Sequence, residues 1–534
     1  MRIKPHIFQA GFLILLGLLV YANSATIPTF HYDDDLTILT NPAVRSLDPG
    51  PIWQSFKTRF IPGMSFAVNY ALAGYDAQAY HKVNVGLHVL TTLLVWAFLR
   101  QLLWLARRRR LIARRFSRWI PFLAAMVFLV HPVQTEPVNF VTQRYVLWAA
   151  LFYMAALGLY LRWRMSGSRP AFCGALAACV AAMFCKEIAF SLPVMVMIVE
   201  IYFFRRPQEP ARRTFKRLAP FLLTMAIIPL TLATTTTDMP GTARVAQLRV
   251  GRDGQTTGLD ITRAASGFSR KEYALTQLNV IRTYMRLLVW PVNQNLDYDY
   301  PVTRKLLNGP TLLSLLLIAG LLYGARYLYT RDRLVSFGIV WFFVTLAVES
   351  SVIPIAHVIA EYRLYLATMG FALVAVIAIS RLAKDAHGLR MTVFIWVAVL
   401  ALAAHGRNEV WQSRRLLWED TIEKSPFKVR PNVNLGKLYT QAGKLQEAAA
   451  FFHRAIQRAP DDPRNTEAYT NLGVVFVKMG RLTQAIEMHQ KAVALNPNDP
   501  IPYYNLSVAY YHLGDFAKEK EYYHKAVAKG FRAK

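Results

Sequence analysis

The sequence predicts an all-α protein in two parts: an integral membrane core with about eleven helical spans over residues 1–408, and a small solenoid of paired helices over residues 427–534. A helical connector at 409–426 joins them. Three observations predict this. Hydrophobic residues make up 54% of the 534-residue chain, with a mean hydropathy of +0.24. Apolar runs near twenty residues long, the length that crosses a bilayer as a helix, recur through the first three quarters of the chain. After about residue 410 those runs stop, and units of similar sequence follow one another.

The first apolar run, 8–27, follows a short basic leader and has the outline of a signal peptide. No clear small-residue cleavage site precedes the aspartates beyond it and more runs follow, so it is expected to be a span. The others centre near 82–104, 118–135, 145–163, 170–185, 188–204, 218–236, 311–328, 334–354, 364–382 and 390–405.

The charge excess orients them. Lys and Arg number 62 against 32 Asp and Glu, a net charge of +30. The basic clusters at 107–118, 162–169, 205–217, 326–333 and 381–390 fall in alternate loops, which marks those loops as cytoplasmic. A nucleic-acid partner is excluded because the charge is spread over spaced loops and gathered in no single patch. With a cytoplasmic N-terminus, the acidic stretch HYDDDLTILTNP (31–42) and the C-terminal units share the extracytoplasmic side.

In those units, Leu435, Gly436, Tyr439, Ala448, Phe452, Ala455 and Pro460 are echoed by Leu472, Gly473, Ala485, Ala492 and Pro497, then by Leu506, Tyr510, Tyr523 and Ala526. The pattern resembles the tetratricopeptide repeat, a helix pair with a period near 34 residues. The third unit has Ser507 and Glu519 where small packing residues are usual, as a terminal unit would. These are packing positions; the concave face of such a solenoid is expected to hold a peptide or protein.

Ionisable residues at membrane depth are costly and mark functional paths. On the side of the aspartates, His131, Glu136 and Arg144 follow the third span, Lys186 and Glu187 the fifth, and Glu361 and Arg363 the ninth. Taken singly these fit structural roles: Lys186 neutralising Glu187, Glu361 with Arg363, Arg144 snorkelling to the interface. Their arrival from sequence-distant loops on one side points to a shared site.

The motifs Tyr32-Asp33-Asp34, AYHKVNVGLHVL (79–90), HPVQTEPVNFVTQR (131–144), KEIAFSLP (186–193), LLVWPVNQNLDYDYPV (287–302) and AEYRLYLATMGFAL (360–373) resemble, in order, those of the transmembrane and tetratricopeptide repeat-containing glycosyltransferases of the GT-C superfamily. The resemblance covers nearly the whole chain. It implies a protein O-mannosyltransferase-like enzyme, inverting, that moves a sugar from a polyprenyl-phosphate carrier to a protein Ser or Thr hydroxyl. It places the family's acidic pair on Asp33 and Asp34, with Asp35 an extra acid, and its other motif residues on His131, Glu136, Arg144, Lys186, Glu187, Glu361, Arg363 and Tyr365. The repeat array is shorter than in eukaryotic members, which leaves acceptor recognition open.

The residue chemistry agrees. A hydroxyl is a poor nucleophile at neutral pH, so Asp33 or Asp34 would serve as general base. The departing phosphate gains charge, which Arg144, Lys186 and Arg363 could stabilise. A carboxylate pair can also hold a divalent cation; the expectation is metal-independent transfer with no cofactor required. The partners expected are the lipid-linked sugar, an acceptor protein and the bilayer. The expected location is a bacterial inner membrane with a periplasmic site, or the endoplasmic reticulum with a lumenal one. Cys173, Cys179 and Cys185 share one span and imply neither a disulfide framework nor a metal site. The aromatic-rich stretch 51–80 is expected as interfacial helices, and the loop 237–275 as a mobile element near the substrate. Two other functions fit fewer features. A membrane-anchored scaffold needs one span and no clustered acids, and a lipid-linked sugar transporter would show inverted halves, which the sequence lacks.

Overall fold

The computed structural model describes residues 5–109, 118–206, 208–233, 269–351, 353–355 and 357–531. Most of the loop at 237–275 lies outside them; its last residues open the helix Arg270–Val289, with a capping box formed by Ser269 and Glu272. The chain divides into two compact units, Met1–Gln294 with Tyr300–Gln412, and Asn295–Asp299 with Ser413–Lys534. Among the described residues there are helices and turns but no strand.

Among the described residues of the first unit every apolar run of the sequence contains a helix. These helices are α1 (Pro5–Val20), α2 (Ala77–Arg108), α3 (Ile120–Val130), α4 (Val141–Ser166), α5 (Arg169–Met183), α6 (Glu187–Phe204), α7 (Ala211–Ala233), α8 (Gly309–Arg331), α9 (Arg333–Leu346), α10 (Glu361–Leu382) and α11 (Ala386–Gln412). Seven are long and apolar enough to cross a membrane; α1, α3, α5 and α9 are shorter. The shortfall has a local cause in each of three. Helix α3 stops at His131-Pro132, whose backbone leaves the helical region. Helix α5 gives way to extended backbone at Lys186, and α9 ends in turns that carry Glu349 inward. The stretch 51–80 forms two short helices, Pro49–Phe56 and Phe60–Ala73, with Trp53, Val68 and Leu72 exposed.

All of α3 is buried, as expected for a helix apolar on every face. Helix α2 packs on α3 and α4, α4 on α5, and α10 on both α3 and α9. Small residues let α9 and α10 touch by their backbones. A Cβ on Gly370 would stand 2.5 Å from the Gly338 carbonyl oxygen and 2.8 Å from the Trp341 ring. Such close approach is how helices associate where lipid removes the hydrophobic drive.

The second unit is a run of helices: α12 (Arg414–Lys424), α13 (Val429–Gln441), α14 (Leu445–Gln457), α15 (Thr466–Lys478), α16 (Leu482–Leu495), α17 (Pro500–Leu513) and α18 (Phe516–Ala528). Residues 295–299 belong to it. Asp297 is ion-paired to Lys428 at 3.4 Å and Arg430 at 3.3 Å, and Asn295 donates to Ser425 Oγ at 2.9 Å. Within each of the first two helix pairs a glycine admits a ring from the partner helix. A Cβ on Gly436 would come 2.6 Å from Phe452, and one on Gly473 would come 2.4 Å from His489.

His489 thus takes the place of Phe452. It is fully buried, and among the described residues neither ring nitrogen has a hydrogen-bond partner. Burial lowers its pKa from 6.5 to about 4. The unfolded chain then binds the extra proton between those values, so stability is full above pH 6.5 and falls as pH drops towards 4. The loss is on the order of 3 kcal/mol. His489→Phe should shift acid unfolding of the repeats, followed by circular dichroism, to lower pH; an unchanged acid midpoint would count against an unpaired histidine there.

Candidate active site

The acidic turn follows α1. Tyr32 takes φ +50, a left-handed backbone unusual for a bulky residue, and Asp35–Leu39 forms a single wide helical turn after it. Asp34 is fully buried. Its Oδ2 accepts the His31 backbone N–H at 2.9 Å, and its Oδ1 accepts the Thr142 backbone N–H at 2.7 Å and the Thr142 hydroxyl. Burial pushes this carboxyl up to about 7, with the hydrogen bonds from Thr142 and His31 working against it. Asp33 beside it is only half-buried. Tyr145, one turn along α4 from Thr142, lies within electrostatic reach of Asp33, Asp34 and Arg59.

The other acids and bases are held by contacts among the loops around it. Glu187 is ion-paired to Arg59 at 3.4 Å, and the Arg59 guanidinium lies over the Tyr145 ring at 4.9 Å. Lys186 is ion-paired to Glu349 at 3.2 Å, donates to Gln143 Oε1 at 3.4 Å and sits 3.9 Å from the centre of the Tyr362 ring. Glu136 accepts the Tyr362 backbone N–H at 3.1 Å. Burial, and secondly the neighbouring Glu361 carboxylate, hold the Glu136 carboxyl above the usual range. Glu361 accepts from the Gln294 amide at 2.6 Å, and Gln294 also donates to the Pro132 carbonyl at 3.0 Å. Arg363, fully buried, donates to the carbonyls of His357 at 2.6 Å and Val358 at 3.1 Å.

Three residues expected at the site are placed as scaffold. Arg144 does not snorkel; it is fully buried over the Phe66 ring. Each of its guanidinium nitrogens donates to the protein, to Asn84 at 2.8 Å, Asn69 at 2.6 Å and the Tyr80 carbonyl at 2.9 Å. His131 accepts the Val133 N–H and bonds the Leu288 carbonyl at 2.9 Å, which fixes one neutral tautomer. The Tyr365 hydroxyl meets His88 Nδ1 at 2.8 Å, and His88 Nε2 meets the Leu129 carbonyl at 2.9 Å.

The pairing of Lys186 with Glu187 suggested by adjacency does not form. Lys186 has φ −164 and ψ 153, an extended backbone that sends successive side chains to opposite sides. Their partners, Glu349 and Arg59, were not among the residues singled out. Glu349 carried a signal, as the only ionisable residue in the apolar run 334–354. Arg59 carried none, lying among the basic and aromatic residues of an interfacial stretch. Among the described residues, no cluster of three or more His, Cys, Asp and Glu could hold a metal ion.

The fold and this cluster define a helical membrane protein with a C-terminal repeat domain. The Tetratricopeptide repeat family matches residues 429–498 and again 470–531. Protein O-mannosyl-transferase F38B6.6 of Caenorhabditis elegans is 25% identical over 84% of this chain and 62% of its own length. Protein O-mannosyl-transferase Tmtc3 of Drosophila melanogaster is 24% identical over 77% of this chain and 49% of its own. Among solved structures, MamA MSR-1 C2 aligns with 20% identity over 38% of this chain and 96% of that one, at a TM-score of 0.20. The chain is thus similar to these two protein O-mannosyl-transferases and spans about half to two thirds of their length.

Proposed function

We propose that this chain transfers a sugar, mannose by analogy with its relatives, from a polyprenyl-phosphate carrier to a Ser or Thr hydroxyl of a protein on the extracytoplasmic side. The observation that carries the reading is that acids and cations from separate loops are tied together around residues 142–145: Asp34 to Thr142, Lys186 to Gln143 and to Tyr362, the Tyr362 N–H to Glu136, and Arg59 to Tyr145 and Glu187. A scaffold has no need of such a set.

In the proposed reaction the acceptor oxygen bonds to the anomeric carbon from the face opposite the phosphate. Its proton passes to the Asp33 carboxylate. The bond from the anomeric carbon to the phosphate oxygen breaks, and its electron pair leaves on the phosphate. Asp33 is the better base of the pair because it is half-buried, whereas Asp34 has three donors on its carboxylate and holds the turn. Lys186 and Arg363 lie behind as a fixed positive background; Arg144 supports the wall that carries Thr142. The repeats are proposed to hold the acceptor, by the general use of such solenoids.

The test is transfer of mannose from mannosyl-phosphoryl-undecaprenol to extracted envelope or lumenal proteins, read by mass spectrometry of Ser and Thr. Transfer is expected with EDTA present. A well-folded parent that never modifies a hydroxyl would remove the enzyme reading.

A further inference from the structure

Three cations of the cluster are buried with their terminal nitrogens committed to the protein, the Arg363 Nε being without a partner among the described residues. Arg144 is fully buried and donates from every guanidinium nitrogen. Arg363 is fully buried with two carbonyls on its terminal nitrogens. Lys186 is buried against Glu349 under the Tyr362 ring. A ligand phosphate could reach their terminal nitrogens only by breaking buried pairs.

Arg59 differs in each respect. Its side chain is 41% exposed. Its link to Glu187 is long, 3.4 and 3.5 Å, and runs from one terminal nitrogen to both carboxylate oxygens. The plane of a guanidinium offers a two-pronged edge matched to phosphate. The residue is also carried on a constrained turn, because Lys57 two positions earlier holds φ +47, a left-handed backbone uncommon outside glycine. Its guanidinium rests over Tyr145, whose other neighbours include Asp33.

We propose that Arg59 is the residue that contacts the phosphate of the lipid-linked donor directly, exchanging its long Glu187 contact for phosphate oxygens. This rests on the sugar-transfer reading above and replaces Arg144, Lys186 and Arg363 in the direct contact. Arg59 and Asp33 both lie within electrostatic reach of Tyr145, which brings the proposed phosphate contact and the proposed base to one side chain.

Two measurements test it, affinity for undecaprenyl monophosphate in detergent micelles by tryptophan fluorescence, and KM and kcat with mannosyl-phosphoryl-undecaprenol. Arg59→Gln should weaken the phosphate lipid about tenfold or more and raise KM, and Arg59→Lys should recover part of both. Glu187→Gln breaks the same ion pair from the other side, yet should leave lipid affinity unchanged or tighter, because it releases Arg59. If Arg59 only anchors Glu187, the two neutral variants will weaken binding alike, or neither will, and the proposal falls. A parent that binds and transfers while Arg59→Gln binds equally well overturns Arg59 alone. A parent that neither binds the lipid nor transfers sugar overturns the reading on which it rests.

Discussion

Asp33→Asn is expected to lower sugar transfer by roughly 10²-fold or more while leaving donor affinity near the parental value. Asn matches Asp in size and cannot accept the hydroxyl proton, so the loss falls on kcat. Asp34→Asn is expected to behave differently. The buried Asp34 carboxylate receives the Thr142 N–H and hydroxyl on one oxygen and the His31 N–H on the other. An Asn side chain can serve only one side, and turns its own N–H₂ towards a donor on the other. A buried donor without an acceptor costs about 1–3 kcal/mol, so this variant should lose thermal stability as well as turnover. The contrast is measured by KM, kcat and melting temperature on the same preparations. If both Asn variants transfer at the parental rate, neither aspartate is the base, and Glu136 or Glu187 takes its place as the candidate. If Asp34→Asn keeps its stability and loses only kcat, the roles assigned to the two aspartates are reversed.

The largest stability effect is expected at Lys186 and Glu349, whose side chains are 6% and 9% exposed. Removing one partner of a buried ion pair leaves the other charge unsolvated, a cost of about 3–5 kcal/mol. Lys186→Ala should therefore melt well below the parent in detergent. Lys186→Met combined with Glu349→Met should recover most of that loss, since neither charge is then stranded. The double variant should still transfer poorly, having lost the cation beside Tyr362. Equal melting of Lys186→Ala and the parent would mean that the pair is not buried as described.

Apolar run length and repeat period made the helices legible in the sequence. Each of the eleven runs became a helix, and the glycine-to-ring contacts Gly436–Phe452 and Gly473–His489 follow from positions that the repeat pattern marks. Lengths were less legible, because run length counts apolar residues and cannot see where the backbone turns, as at His131-Pro132 and after Leu346. The gathering of acids and cations was foreseeable from their cost in a membrane. Who pairs with whom was not. The backbone angle at Lys186 sends it to Glu349 and leaves Glu187 to Arg59, and no local pattern encodes an angle. Nor does sequence show that Asn69 and Asn84 enclose Arg144, since an amide inside a helix reads as any other polar residue.

Helix α3 carries a consequence for the kind of acceptor that can be used. It has 11 residues, all buried, and begins just after Trp119, whose ring lies under the Arg390 guanidinium at 4.8 Å. Tryptophan and arginine together mark the headgroup level. Eleven residues advance about 16 Å, roughly half of a hydrocarbon core about 30 Å thick. Helix α3 is therefore too short to cross by itself, and the irregular chain from His131 to Tyr145 that follows it survives next to lipid only if protein covers it; this segment is buried throughout. Under the proposed transfer the reacting groups sit in a recess walled by protein, which a hydroxyl on a slack length of polypeptide would enter more readily than one on a folded surface.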